Sequence, residues 1–128
     1  MSKSSSLSTI EDVLCCLDFI RNKRQEYFIC LSLDSGGQII KRRTVTIGLL
    51  DMALAHPREV FAGPLKDRAA AVVIAHNHPS GCPDPSEADI DTTQHLVAAG
   101  QILGLPVQDH IIVAKDKVFS FRTHSLIL

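Results

Sequence analysis

His76 and His78 stand one residue apart at the end of an apolar run, Ala69 to Ala75, and Asp89 follows within the same stretch, AHNHPSGCPDPSEAD. On a strand, residues i and i+2 share a face, so both imidazoles point the same way if the strand continues that far. Neutral imidazole is a favoured zinc ligand, and a catalytic zinc takes three protein ligands and keeps one position open. Asp89 supplies the third ligand if the Pro/Gly-rich turn folds the next helix back over the strand end. A plainer reading fits the same residues. Ser86 and Asp89 also have the types and spacing of a helix N-cap and its N3 carboxylate. Histidines at a strand end can simply be solvated. The residues alone leave both readings open.

Positioning these groups needs a strand, a loop and a helix. Ala70 to Ala75 is a continuous apolar run, as expected of a strand buried on both faces. Pro79, Gly81, Pro83 and Pro85 mark residues 77–85 as a loop. Ser86 then opens a helix of about 87–103, which Gly104 stops. Upstream, Ser8-Thr9-Ile10-Glu11 fits a capping box, and Ile10, Val13, Leu14 and Leu17 recur at helical spacing. A helix is expected over 9–23. Glu26 to Asp34 and Gln38 to Ile47 read as two strands joined by the hairpin turn Ser35-Gly36-Gly37. A helix of about 57–69 starts with Pro57 in its first turn, and Gly63-Pro64 is expected to kink it or end its first part. Val107 to Ala114 and Val118 to Arg122 read as the last strands. The order αββαβαββ predicts a mixed sheet flanked by helices, in the α/β or α+β class.

The 128 residues suit one domain over 8–128 behind a disordered leader over 1–7. Net charge is −1 and the only basic run is Lys41-Arg42-Arg43, so the chain lacks the electrostatic footprint of a nucleic-acid binder. No apolar stretch is long enough to span a membrane. The N-terminus has no apolar h-region of a secretory signal, so a cytoplasmic setting is expected. Cys15, Cys16, Cys30 and Cys82 have no CxxC spacing, which argues against a disulfide framework or a Cys-rich zinc site. Cys30 reads as a small core residue. Cys82 lies inside the loop, and a reactive role there needs an exposed, electropositive setting.

His76-Asn77-His78-Pro79-Ser80-Gly81 followed by Ser86-x-x-Asp89 resembles the H-x-H-P-S…S-x-x-D signature of JAB/MPN domains, the JAMM metallopeptidase class. With His56-Pro57-Arg58-Glu59-Val60-Phe61 before it and Asp109-His110-Ile111-Ile112 after it, the wording is most similar to the RadC-like branch. The resemblance runs from about residue 8 to the C-terminus. It departs at Cys82, where RadC-like chains usually carry an acidic residue that is not a ligand. The helix-hairpin-helix region found upstream in full-length RadC-like proteins is absent from these 128 residues.

The resemblance implies a JAB/MPN fold of cytidine-deaminase-like architecture. It makes His76, His78 and Asp89 the ligands of Zn2+, and Ser86 the neighbour of the reacting carbonyl. It places the general base at the junction of the first helix and first strand, which here is Glu26. Glu59, at the start of the second predicted helix, is the rival. The implied activity is zinc-dependent cleavage of a peptide or isopeptide bond in a peptide or protein substrate. The alternatives are a DNA-repair-associated protein that binds or processes nucleic acid, and a non-catalytic MPN-type scaffold. Asp109 and His110 read either as a carboxylate orienting an imidazole beside the metal or as a buried polar pair. His56, His95 and His124 have no companions at ligand spacing and read as surface or core histidines.

Overall fold

The computed structural model describes residues 10–48 and 55–127. The expected leader over 1–7 and the cap residues Ser8 and Thr9 lie outside the described residues. The elements are α1 (Ile10–Leu17), β1 (Tyr27–Leu33), β2 (Ile39–Ile47), α2 (Pro57–Lys66), β3 (Ala71–Asn77), α3 (Glu87–Leu103), β4 (Val107–Val113) and β5 (Val118–Ser120). The five strands form one mixed sheet in the order β2-β1-β3-β4-β5. β3 and β4 run parallel, joined through α3, and the other neighbours are antiparallel. The mixed α/β class expected from the sequence is therefore the observed one. Among the described residues, no helix is long and apolar enough to cross a membrane.

β3 is the central strand, and all seven of its residues are buried. Its alternation divides two cores. Val72 and Ile74 face Phe28, Val60, Phe61, Leu96 and Ile112, beneath α2 and α3. Ala71, Val73 and Ala75 face Val13, Leu17, Ile20, Leu31 and Ile111, beneath α1. Parity then assigns His76 to the α3 side and Asn77 to the α1 side.

The element boundaries differ from the sequence expectation by more than one residue in four places. α1 ends at Leu17 and tightens into a 3-10 turn over Asp18–Ile20. Side chains three apart eclipse in that turn, so Leu17 and Ile20 both reach the core, and both are fully buried. α2 runs unbroken past Gly63 and Pro64 and stops at Lys66, short of the expected 69. Arg68 adopts a positive φ, and the N–H groups of Arg68 and Ala69 bond back to Leu65 and Pro64 in a Schellman closure. β3 extends to Asn77, two residues past the expected apolar run, so His76 lies inside the strand. β5 stops at Ser120, where the chain turns and the Asp109 carboxylate accepts the Ser120 hydroxyl and the Arg122 N–H.

Candidate metal centre

The end of β3 is built so that a helix can be laid across it. The His78 N–H continues the ladder one step beyond the strand by donating to the Val113 carbonyl at 3.0 Å. The chain then turns at once, with the Gly81 N–H bonded to the His78 carbonyl and Gly81 at φ +92°, a conformation that an L side chain would strain. The proline-rich loop delivers Ser86 as the N-cap of α3. The Ser86 hydroxyl oxygen accepts the Asp89 N–H at 3.0 Å, and Asp89 Oδ2 accepts the Ser86 N–H at 2.9 Å, closing a capping box.

This box aims the carboxylate at the histidines. Asp89 Oδ2 is 3.1 Å from His78 Nε2, Asp89 Oδ1 is 3.4 Å from His76 Nε2, and the two Nε2 atoms are 3.0 Å apart. One candidate ligand atom from each residue lies within 4.8 Å of the other two. The expected trio therefore converges, and Ser86 and Asp89 satisfy the cap reading at the same time.

The donor set suits a cation. His78 Nδ1 lies 2.8 Å from the Cys82 carbonyl. A carbonyl can only accept, so Nδ1 carries a hydrogen; the protonated ring donates from Nε2 to Asp89, and the neutral ring, with Nε2 bare, is the form that would coordinate a cation. Two imidazole nitrogens and a carboxylate, all at the mouth of a buried strand, are an N,N,O set of the kind that divalent transition ions take. Cys82 thus serves the site through its backbone, while its exposed sulfur is 3.8 Å from Asp84.

The charges follow from burial and pairing. His76 is 1% exposed, and desolvation holds its pKa below the usual histidine value despite the pull of Asp89. His78 is mostly buried, with a side chain 16% exposed, and its hydrogen bond to Asp89 raises its pKa against the opposing effect of burial. Desolvation alone would raise the Asp89 pKa, but the adjoining His76 and His78 rings and the Ser86 N–H outweigh that and leave the carboxyl well below the usual range. Asp89 is therefore held as the anion at neutral pH.

Glu26 lines the same open cavity as His78, Ser86 and Asp89, together with Arg24, and the cavity has a volume of about 670 Å³. Partial burial, reinforced by the nearby Asp89 charge and opposed by His78, raises the Glu26 pKa. Glu59, the rival for the base, is exposed on α2 and does not line this cavity.

Three residues around the site were not assigned these parts by the sequence. Asn77 reaches across the sheet to the chain on either side of Glu26. Its Oδ1 accepts the Tyr27 N–H at 2.6 Å, and its Nδ2 donates to the Gln25 carbonyl at 3.0 Å. Its place between two histidines gave it a strand position but no partner. His110 is fully buried, with Nε2 2.8 Å from His76 Nδ1 and Nδ1 2.5 Å from the Thr93 hydroxyl oxygen. Asp109 is not the partner of the His110 ring: its carboxylate accepts the backbone N–H groups of His110 and Arg122 and the Ser120 hydroxyl. The Asp109-His110 pair therefore divides, the carboxylate serving the β4–β5 connection and the imidazole serving His76. His56, His95 and His124 are exposed and stand apart from the trio, as expected.

Comparison with known proteins gives a family match over nearly the whole chain. The family model of the RadC-like JAB domain matches residues 7–126. A UPF0758 protein of Methanospirillum hungatei is 49% identical over 104 residues, covering 81% of this chain and 46% of that protein. A UPF0758 protein of Bacillus licheniformis is 48% identical over 98 residues, covering 77% of this chain and 44% of that protein. Another from Bacillus cereus is 43% identical over 106 residues, covering 83% and 47%. The chain spans about half the length of these curated relatives.

Proposed function

The chain belongs to the RadC-like JAB domain family, and from that premise we propose that it is a zinc-dependent hydrolase that cleaves a peptide or isopeptide bond. The observation that carries this reading is the convergence of His76, His78 and Asp89 beside a cavity that Glu26 and Ser86 also line. His76, His78 and Asp89 would hold the ion. A divalent ion there supplies Lewis acidity, polarising a carbonyl and making water acidic near neutral pH.

The chain's own residues supply the rest. Glu26 faces the same cavity and partial burial raises its pKa, so it would take the proton of the attacking water and pass it to the leaving amine. Capping and oxyanion binding do not compete at Ser86. The cap uses the hydroxyl oxygen as an acceptor, so its hydrogen stays free to donate to the oxygen that becomes negative in the transition state. Asn77 fixes the backbone on both sides of Glu26, and the capping box fixes Asp89. Both reduce the reorganisation needed when substrate enters.

A nucleic-acid role has less support. Arg43 is paired with Asp67 at 2.5 Å, and Arg42 donates to the Cys16 carbonyl and stacks over Phe19, so two of the three residues of the basic run are engaged within the fold. A cytoplasmic setting remains part of this reading, in keeping with four free thiols.

The test is metal analysis of protein purified without chelator, with His78→Ala and Asp89→Ala as controls, followed by peptidase and isopeptidase assays. One zinc per chain, lost in both variants, with cleavage abolished by Glu26→Gln, is expected. Absence of zinc, or cleavage that survives Glu26→Gln, overturns the reading.

A further inference from the structure

The hydrogen bonds behind His76 have a direction, and that direction is set by a threonine on another element. Thr93, on the inner face of α3, is 1% exposed and has one hydroxyl hydrogen to give. Its oxygen is 2.7 Å from the Asp89 carbonyl and 2.5 Å from His110 Nδ1. The carbonyl can only accept, so the hydroxyl hydrogen goes there. The contact with His110 must then be donated by the ring, which places a hydrogen on His110 Nδ1. His110 is fully buried beneath Phe121, whose ring stacks on it at 4.5 Å and 9°. A neutral imidazole with its hydrogen on Nδ1 has a bare Nε2. That nitrogen lies 2.8 Å from His76 Nδ1, so His76 must donate there. The only remaining nitrogen of His76, Nε2, is left without a hydrogen, and it is the atom that faces His78 Nε2 and Asp89 Oδ1.

We propose that Thr93 and His110 are positioning residues that lock His76 in the Nδ1–H tautomer and present its bare Nε2 for coordination before any ion arrives. The inference rests on the metal-site reading and extends it to two residues outside the ligand set. The chain runs from His76 Nδ1 through His110 and Thr93 to the Asp89 carbonyl. One ligand therefore helps to fix the tautomer of another. His78 needs no such chain, because the Cys82 carbonyl does the same for it directly. Groups that orient a ligating histidine typically change metal affinity about 10- to 100-fold when removed.

The experiment reads two quantities on the full chain. Long-range 1H–15N correlation spectra of the metal-free protein identify which nitrogen of His76 carries the hydrogen, and competition with a chromophoric chelator gives zinc affinity. The native protein is expected to carry it on Nδ1. Thr93→Ser keeps the hydroxyl and should keep both the tautomer and the affinity. Thr93→Val and His110→Phe should mix or reverse the tautomer and weaken zinc binding by about 10- to 100-fold. His110→Phe retains an aromatic ring against Phe121 and provides the answer if Thr93→Val does not fold. A native His76 with its hydrogen on Nε2, or variants with unchanged tautomer and affinity, overturns the chain while zinc binding by the native protein leaves the metal reading standing. A native protein with the expected tautomer that binds no zinc overturns the metal reading, and the ligand-orienting role with it.

Discussion

Asn77 holds Tyr27 across the sheet, accepting its backbone N–H on Oδ1 at 2.6 Å, and so ties the residue between the two histidines to the residue after Glu26. Its Nδ2 binds the carbonyl on the other side of Glu26. Asn77→Ala removes both restraints and should loosen Glu26 without touching a ligand. For any amide substrate that is turned over, kcat should fall roughly 10- to 100-fold, the scale of a small misplacement of a catalytic group. Zinc affinity should stay unchanged. The variant also leaves the Tyr27 amide and the Gln25 carbonyl without partners, a loss of about 1–3 kcal/mol that denaturant unfolding would register. Equal losses of zinc affinity and kcat would sink this assignment.

Asp89 does two jobs that substitution can separate. Asp89→Asn keeps an oxygen for the Ser86 N–H but removes the charge, whereas Asp89→Ala removes both. Zinc binding should be lost in each. Only Asp89→Ala should also lose capping stability, by about 1 kcal/mol. In the native protein, zinc at 100 times its Kd should raise stability by about 2.7 kcal/mol, and a chelator should reverse the gain. Parallel thermal melts of the three proteins, with and without zinc, check all of this.

Ser86→Ala removes the hydroxyl that accepts the Asp89 N–H, so the stability cost should again be about 1 kcal/mol. Zinc affinity should change little. Loss of an oxyanion donor should reduce kcat by roughly 100- to 1,000-fold with a smaller effect on KM. A change confined to stability would leave Ser86 as a cap alone.

Asp67 links the far end of α2 to the sheet. Burial pushes its pKa up, but hydrogen bonds from the Ser32 hydroxyl and the Arg43 guanidinium outweigh it and hold the carboxyl below its ordinary value. A group whose pKa is lower folded than unfolded stabilises the protein fully above the unfolded value, about 3.9 for Asp. That contribution is lost as pH falls through the lower folded value. Asp67→Asn should therefore destabilise the protein at neutral pH and flatten the fall in stability below about pH 4. Urea midpoints across pH 2–7 measure it, and parallel curves for the two proteins would contradict it.

Cys30 is buried in the core under α2, and burial pushes its thiol up to about 12. Cys15 and Cys82 are exposed. Alkylation of the native protein near pH 8 should label Cys15 and Cys82 and spare Cys30 until denaturant is added. Peptide mass mapping with and without denaturant distinguishes the outcomes.

The sequence by itself determined the parts of this site that obey short-range rules. Ser86 and Asp89 are three residues apart, so cap chemistry could be read from residue type and spacing. The continuous apolar run before His76 announced a strand covered on both faces, and Gly104 marked the end of α3, where it adopts φ +75°. Only the tertiary structure decided which distant residues complete the site. Asn77 meets Tyr27 across 50 positions through the antiparallel pairing of β1 with β3. His76 meets His110 across 34 positions through the parallel pairing of β3 with β4, a register that α3 must first cross over to create. Spacing and helical or strand period constrain neighbours a few residues apart. They say nothing about which strand lies alongside, so neither the bracket around Glu26 nor the partner of His76 was legible until the sheet had its order.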